Sequence, residues 1–206
     1  VVAEIETTNE VVSFDDISAN YQIYSQDLTQ SNWSTSRATI IANDGTAPDG
    51  TVTADLLTTD GSSGTKIVVD FAIITPTANS VWATSWFVKD KSSAASEPKA
   101  KIELGSGANN GLASINLTTG AVSNVTANGT VSNCSASTTS FGDGWFRVEM
   151  VVTFGASWTG NANFGMYNQD TGTTGTSVGI LLWGSQLEEA TSASTYLPTT
   201  SAVLVG

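Results

Sequence analysis

Histidine is absent from this chain. A Ser-His-Asp triad, a Cys-His pair and the common zinc sites all need an imidazole that exchanges a proton or donates a lone pair near neutral pH. Those chemistries are excluded. The single cysteine, Cys134, rules out an internal disulfide framework and a four-cysteine metal site, and its thiol is expected to be inert. Basic residues are few, seven against 19 acidic ones, giving a net charge of −12 and a pI near 4.1. Such a field repels phosphate backbones and anionic membrane surfaces, so nucleic acid is not an expected partner. No apolar run approaches the roughly 20 residues of a spanning helix, so no membrane insertion is expected. The start, Val1-Val2-Ala3-Glu4, has neither an initiator methionine nor the regions of a signal peptide, and reads as a processed or excised piece.

What is present suits a β protein. Apolar residues make up 40% of the 206, enough for a real core. Residues 1–20 read as an extended N-terminal arm, with Val1-Val2 and Val11-Val12 separated by Glu and Thr. From Tyr21 onward short apolar segments are broken by Gly, Asn, Asp, Ser and Thr, the pattern of many strands joined by turns. The clearest strands are 80–89, 99–105, 144–154, 162–167 and 178–187, with shorter ones near Gln22, Thr39, Thr53, Lys66, Ser114 and Val122. Thr119-Gly120 reads as a tight hairpin. Asp44-Gly45, Asp49-Gly50, Asp60-Gly61, Asn110-Gly111 and Asn128-Gly129 read as turns that need positive φ.

Alternation assigns faces. Along 145–154 the even positions are apolar while Trp145, Arg147 and Glu149 point the other way. Trp82, Trp86 and Val88 share one side of their strand, with Ser85, Phe87 and Lys89 opposite. Ile102 and Leu104 read as inward, with Lys101 and Glu103 outward. A meander would bring Lys89, Lys91, Lys99, Lys101 and Arg147 together. Cross-strand ion pairs with Glu103 and Glu149 explain that gathering blandly, at about 0.2–1 kcal/mol each. The sharper reading is one wet face, with Phe87, Trp145 and Tyr167, forming the floor of a ligand groove.

Several stretches together resemble a known family. They are Ser25-Gln26-Asp27-Leu28 with Ser31-Asn32-Trp33; Thr46-Ala47-Pro48-Asp49-Gly50-Thr51 with Ala54-Asp55; Phe87-Val88-Lys89; Gly142-Asp143-Gly144-Trp145-Phe146-Arg147; and Leu182 to Glu189, closing with Thr195-Tyr196-Leu197-Pro198-Thr199. In this order they are similar to the jelly-roll, carbohydrate-binding-like modules of bacteriophage tail fibres and virion surface proteins. The resemblance spans roughly residues 21–200; Asp90 after Lys89 departs from the pattern, as do residues 1–20. It implies an all-β jelly-roll sandwich of two antiparallel sheets over 21–206, preceded by the arm. Such modules bind host glycans, trimerise fibres or space other domains.

The expected function is therefore non-catalytic binding of host-surface carbohydrate at a virion surface or tail fibre. The chain is expected as a homo-oligomer, a trimer among the options, in contact with other virion proteins. The ligand-binding candidates are Phe87, Lys89, Lys101, Glu103, Trp145, Arg147, Glu149, Trp158 and Tyr167. Trp158 lies in a polar loop and is read evenly as platform or plug; Trp33 is expected to plug a sandwich end. Trp183 is expected to be a core indole. Ile180, Leu182, Gly184, Gln186 and Glu188 are placed on one face of the last strand, with Leu181, Trp183, Ser185, Leu187 and Glu189 on the other. The alternatives are a structural decoration or spacer protein, and a polysaccharide-degrading enzyme. Glu188 and Glu189 point to opposite faces and cannot flank one glycosidic bond, so Glu103 with Glu149 is the better acid pair. No cofactor is expected. A structural calcium is possible on the oxygens of Asp44, Asp49, Asp55, Asp60 and Glu188, but none is assigned.

Overall fold

The computed structural model describes residues 19–62, 64–91, 99–168 and 179–205. Among them every regular element is a strand: β1 (Ala19–Asn20), β2 (Trp33–Ser36), β3 (Ala38–Gly45), β4 (Ala54–Thr59), β5 (Lys66–Ile74), β6 (Val81–Asp90), β7 (Lys99–Ser106), β8 (Asn109–Asn116), β9 (Val122–Ala127), β10 (Val131–Gly142), β11 (Trp145–Phe154), β12 (Ala162–Asn168), β13 (Ile180–Glu188) and β14 (Leu204–Val205). The fold is an all-β jelly-roll sandwich. Its first sheet runs β10-β11-β6-β13-β4-β3, its second β2-β5-β12-β7-β8-β9, and β1 and β14 form a short ribbon. Most of the arm assigned to residues 1–20 lies outside the described residues; Ala19 and Asn20 pair with Val205 and Leu204.

The two inner faces are built by alternation. Trp86, Val88, Val148, Met150, Val152 and Phe154 of the first sheet meet Val68, Ile102, Leu104, Ile115, Phe164 and Met166 of the second in one continuous core. Trp86 is fully buried, with its ring 5.4 Å from Trp33 and 5.3 Å from Phe164. Trp33, expected to plug an end, is buried in this core at the start of a short strand, β2.

Three expectations are corrected. The first is the meander. β6 pairs with β11 and β13, whereas β7 pairs with β12 and β8, so the connection from β6 to β7 passes from one sheet to the other. Jelly-roll connections cross between layers in this way, and alternation within a strand carries no information about which layer it joins.

The second concerns two expected turns: Asp44-Gly45 lies inside β3, with Gly45 paired to Ala54 and not at positive φ, and Asn110-Gly111 lies inside β8. The β7–β8 turn closes between Ser106 and Asn109, with Gly107 at φ +57°. Gly111 instead serves packing, because a Cβ there would stand 2.5 Å from Val152 Cγ2 on the facing sheet.

The third concerns the last strand. Gly184, at φ +62°, begins a bulge between Trp183 and Gln186 that exchanges the faces of all that follows. Leu187 therefore joins Ile180 and Leu182 in the main core, while Gln186 and Glu188 turn outward with Leu181 and Trp183.

β10 is a twelve-residue edge strand that no periodicity announced, its sequence VSNCSASTTSFG being nearly all small and polar. Its Cys134 and Ala136 pack on the core. Burial pushes the Cys134 thiol up to about 11, so little of it is thiolate near neutral pH.

Candidate functional site

The nine candidate residues divide between the two outer faces of the sandwich, with one exception. Phe87, Lys89, Trp145, Arg147 and Glu149 lie on the first sheet, in register across β6 and β11. Lys101, Glu103 and Tyr167 lie on the second, across β7 and β12. Trp158 lies on neither: it is 5% exposed, its ring 4.4 Å from Phe154, and its indole N–H donates to the Gly160 carbonyl at 3.1 Å. Trp158 is a plug.

The first-sheet group is covered by the chain itself. Phe87, Trp145, Leu181 and Trp183 form a second, smaller apolar cluster with Ala47, Ala54, Leu56 and Tyr196. Trp183 is thus a core indole, but of this outer cluster. Two segments close over it. From one, the Thr46 carbonyl accepts from the Trp145 indole at 3.2 Å and Thr53 Oγ1 accepts from the Trp183 indole at 3.0 Å. From the other, Tyr196 sets its ring 4.8 Å from Trp183 and shares a 2.7 Å hydrogen bond with Ser25. Burial pushes the Tyr196 phenol up to about 12.

Arg147, buried beside Phe87, donates to Ser85 Oγ at 3.0 Å and to the Ser194 carbonyl at 2.5 Å. Burial lowers its pKa, opposed by the nearby carboxylates Glu149 and Glu188. Glu188 accepts from Gln186 Nε2 and from the Ser194 N–H, both at 2.7 Å. These polar groups therefore fasten the segment around Ser194 to Leu197 over the sheet and leave no open groove there.

The outer face of the second sheet is different. There Lys101, Glu103 and Tyr167 are each half-buried. The Tyr167 hydroxyl donates to Glu103 Oε2, and Asn110 Nδ2 donates to Glu103 Oε1 at 2.7 Å. Asn110 is itself held by Asn128 Nδ2 at 2.9 Å. The Lys101 ammonium stands 3.9 Å from the Tyr167 ring centroid, a cation–π contact. Burial, followed by the hydrogen bond to Glu103, pushes the Tyr167 phenol far above its ordinary range, so it remains a donor. Gly165 occupies the outward position beside Tyr167, so that row carries no side chain between Val69 and Glu103. Asn110 was not singled out from sequence because it was hidden in an apparent turn.

This division changes the acid-pair question. Glu103 and Glu149 sit on opposite outer faces of a two-layer structure whose sheets alone are about 10 Å apart. A glycosidase needs two carboxyls about 5–9.5 Å apart across one sugar, so they cannot act as that pair.

The five acidic side chains considered for calcium are engaged locally. Asp44 pairs with Lys91, Asp49 accepts from Thr51, and Asp60 accepts from the Ser62 N–H. Asp55 accepts the backbone N–H groups of Leu28 and Asn43, both at 2.8 Å, and Glu188 is held as above. Burial raises the Asp55 pKa despite those two bonds. Asp55 also lines a cavity of about 260 Å³ with Gln26, Asp27, Thr29 and Asn43.

No protein-family model matches the chain, and no curated protein matches it. Among solved structures it is similar to the Clostridium thermocellum N-terminal endo-1,4-β-D-xylanase 10B, CBM22-1–GH10 modules complexed with xylohexaose, at 11% identity and TM-score 0.45 over 89% of this chain. It is also similar to the enzymatically active domain of bacteriophage CBA120 tailspike protein 4, at 12% identity and TM-score 0.48 over 82% of this chain. The matched regions are 29% and 21% of those two chains, so this chain spans less than a third of either.

Proposed function

We propose that this is a non-catalytic module of a virion surface or tail fibre that binds host-surface carbohydrate on the outer face of its second sheet. The observation that carries the reading is the cluster in which Tyr167 and Asn110 hold the two oxygens of Glu103 while Lys101 lies over the tyrosine ring. Sugar recognition needs an apolar ring edge or face and fixed polar groups set to meet hydroxyls. Here Glu103 offers lone pairs to sugar O–H groups, Lys101 offers N–H donors, and Tyr167 supplies aromatic surface. The virion setting rests on the five ordered sequence motifs. Single-site binding of such a shallow face is weak, and linked copies in an oligomer raise avidity without new contacts.

The test is binding of the oligomeric chain to arrayed glycans and to host cells. Tyr167→Ala and Glu103→Gln are each expected to lower retained signal about tenfold, roughly 1.4 kcal/mol per site. Trp158→Phe, far from the face, should leave it unchanged. Wild-type protein that retains no glycan, or folded variants that bind as well as wild type, would reject the reading.

A second reading, a spacer acting through subunit packing, is favoured by the apolar end at Val203, Leu204 and Val205, which are 44%, 43% and 63% exposed. It expects Leu204→Asp to convert an oligomer to monomer in sedimentation while glycan retention by the single copy is unaltered.

A further inference from the structure

The four edges of the two large sheets are unequally protected. An open strand edge recruits further strands, and proteins ordinarily blunt it with bulges, charges, proline or short length. Three of the four are blunted here. β2 has four residues. β3 is interrupted by a register shift between Ile41 and Gly45, with Asn43 at φ +53° and the charged Asp44 beside it. β9 faces a register shift in β8 between Leu112 and Ser114, and its own Asn124 stands at φ +50°. β10 is the exception. Its register shifts fall at its two ends, and from Asn133 to Ser140 it pairs with β11 in unbroken register, without a proline or a charged side chain. Its only ladder is with β11, so alternate N–H and C=O groups point away from the sheet. Ser135, Ser137, Thr139 and Ser140 of this strand are exposed. The surroundings are neutral too. No Asp, Glu, Lys or Arg occurs from Leu104 to Gly142, a stretch that holds β8, β9 and β10, in a chain of net charge −12. β9 packs beside β10 on the neighbouring sheet, and the apolar Val125 and Phe141 of the two strands are exposed.

We propose that the β10 edge pairs with β10 of a second copy of this chain, antiparallel about a twofold axis near Ala136 and Ser137, joining the first sheets of two molecules into one. Charge selects that occupant. Two copies of an acidic protein repel across most of their surfaces, and this flank is where they meet without setting like charge against like. Run antiparallel, β10 also meets a strand of its own length and its own small polar composition. Such an isologous contact closes at two copies and leaves no equivalent edge for further growth. Directly opposed residues of an antiparallel pair share a face, so the axis stands perpendicular to the joined sheet. Both second sheets then lie on the same side of it. Lys101, Glu103 and Tyr167 of the two copies face one way, and a single host surface engages both. That consequence rests on the proposed carbohydrate face; the pairing itself does not.

The test is sedimentation velocity of the full chain over a dilution series, in parallel with amide hydrogen exchange; neither readout involves glycan. The expected result is a concentration-dependent dimer, with amides of 133–140 exchanging more slowly in concentrated than in dilute protein. Ser137→Lys sets two ammonium groups near the axis and is expected to raise the dimer dissociation constant about tenfold or more. Ser137 is exposed and stands opposite Glu149 in its own sheet, so the lysine is accommodated within the monomer. An equimolar mixture of Ser137→Lys and Ser137→Glu should restore the dimer. Should either variant misfold, Thr139→Lys and Thr139→Glu serve in its place. Wild type that stays monomeric throughout the series overturns the pairing, even where 133–140 is protected, since the chain itself then covers the edge. A dimer that both lysine variants leave intact, or one that Leu204→Asp dissolves in their stead, overturns it as well.

Discussion

Replacing Trp86 by alanine is expected to lower the unfolding free energy by about 3–5 kcal/mol, the usual cost of deleting a large buried aromatic. Trp86 belongs to the first sheet, and both of its ring partners, Trp33 and Phe164, belong to the second. Its side chain is fully buried and joins the two layers, so a void at that point cannot close by movement of a surface loop. At this chain length about 2–4 °C of melting temperature is lost per kcal/mol, and urea denaturation followed by circular dichroism measures the difference directly. A companion variant sharpens the result. The Trp86 indole N–H has no acceptor among the described residues. Trp86→Phe loses ring area but also removes that unsatisfied donor, worth about 1–3 kcal/mol, and should cost far less than the alanine variant. Equal losses for the two would show that the indole nitrogen is satisfied in solution.

The second large effect is expected at Glu188. Its Oε1 receives both the Gln186 amide and the Ser194 N–H, and Glu188 is 3% exposed. Glu188→Ala leaves the Ser194 N–H without its acceptor, at about 1–3 kcal/mol, leaves the Gln186 amide only Ser194 Oγ and the Thr195 carbonyl, and removes one of the two carboxylates that offset the burial of Arg147. Glu188→Gln keeps an acceptor for one donor and should recover part of the loss. The local consequence is release of the segment at Ser194 to Leu197 from the sheet. Chymotrypsin should then cut at Tyr196, which in the intact protein is held against Phe87 and Trp183. Cleavage at the wild-type rate would show that the apolar cluster alone holds the segment.

Much of the architecture could be read from residues alone, and the failures have distinct causes. The inward row Phe146, Val148, Met150, Val152 and Phe154 was legible because a half-buried strand must alternate, and the same rule placed Ile102 and Leu104 against Lys101 and Glu103. Period two says which side of a strand is wet. It says nothing about which strand lies next door, so Lys101 and Arg147 were drawn onto one face when they occupy opposite ones. Nor does it show that a wet-looking side will be roofed by distant chain, as residues near Thr46 and Ser194 roof Trp145 and Arg147. β10 escaped notice because an edge strand needs few apolar residues, and Ser and Thr read as loop. Gly184 was seen as part of a signature, yet its positive φ, which reverses every side chain after it, has no mark in the one-letter pattern. Of the candidate site, Glu103, Lys101 and Tyr167 were legible as outward polar and aromatic positions; Asn110, which braces the carboxylate, was not.

The placement of β13 bears on how the molecule comes into being. This strand follows every other strand of its sheet in sequence yet lies between β6 and β4, in the middle of the first sheet. A nascent chain still lacking it holds two separate ribbons, each with a bare hydrogen-bonding edge facing the gap, and such edges recruit other chains. Completion of this sheet therefore waits for β13, the last of its six strands in chain order.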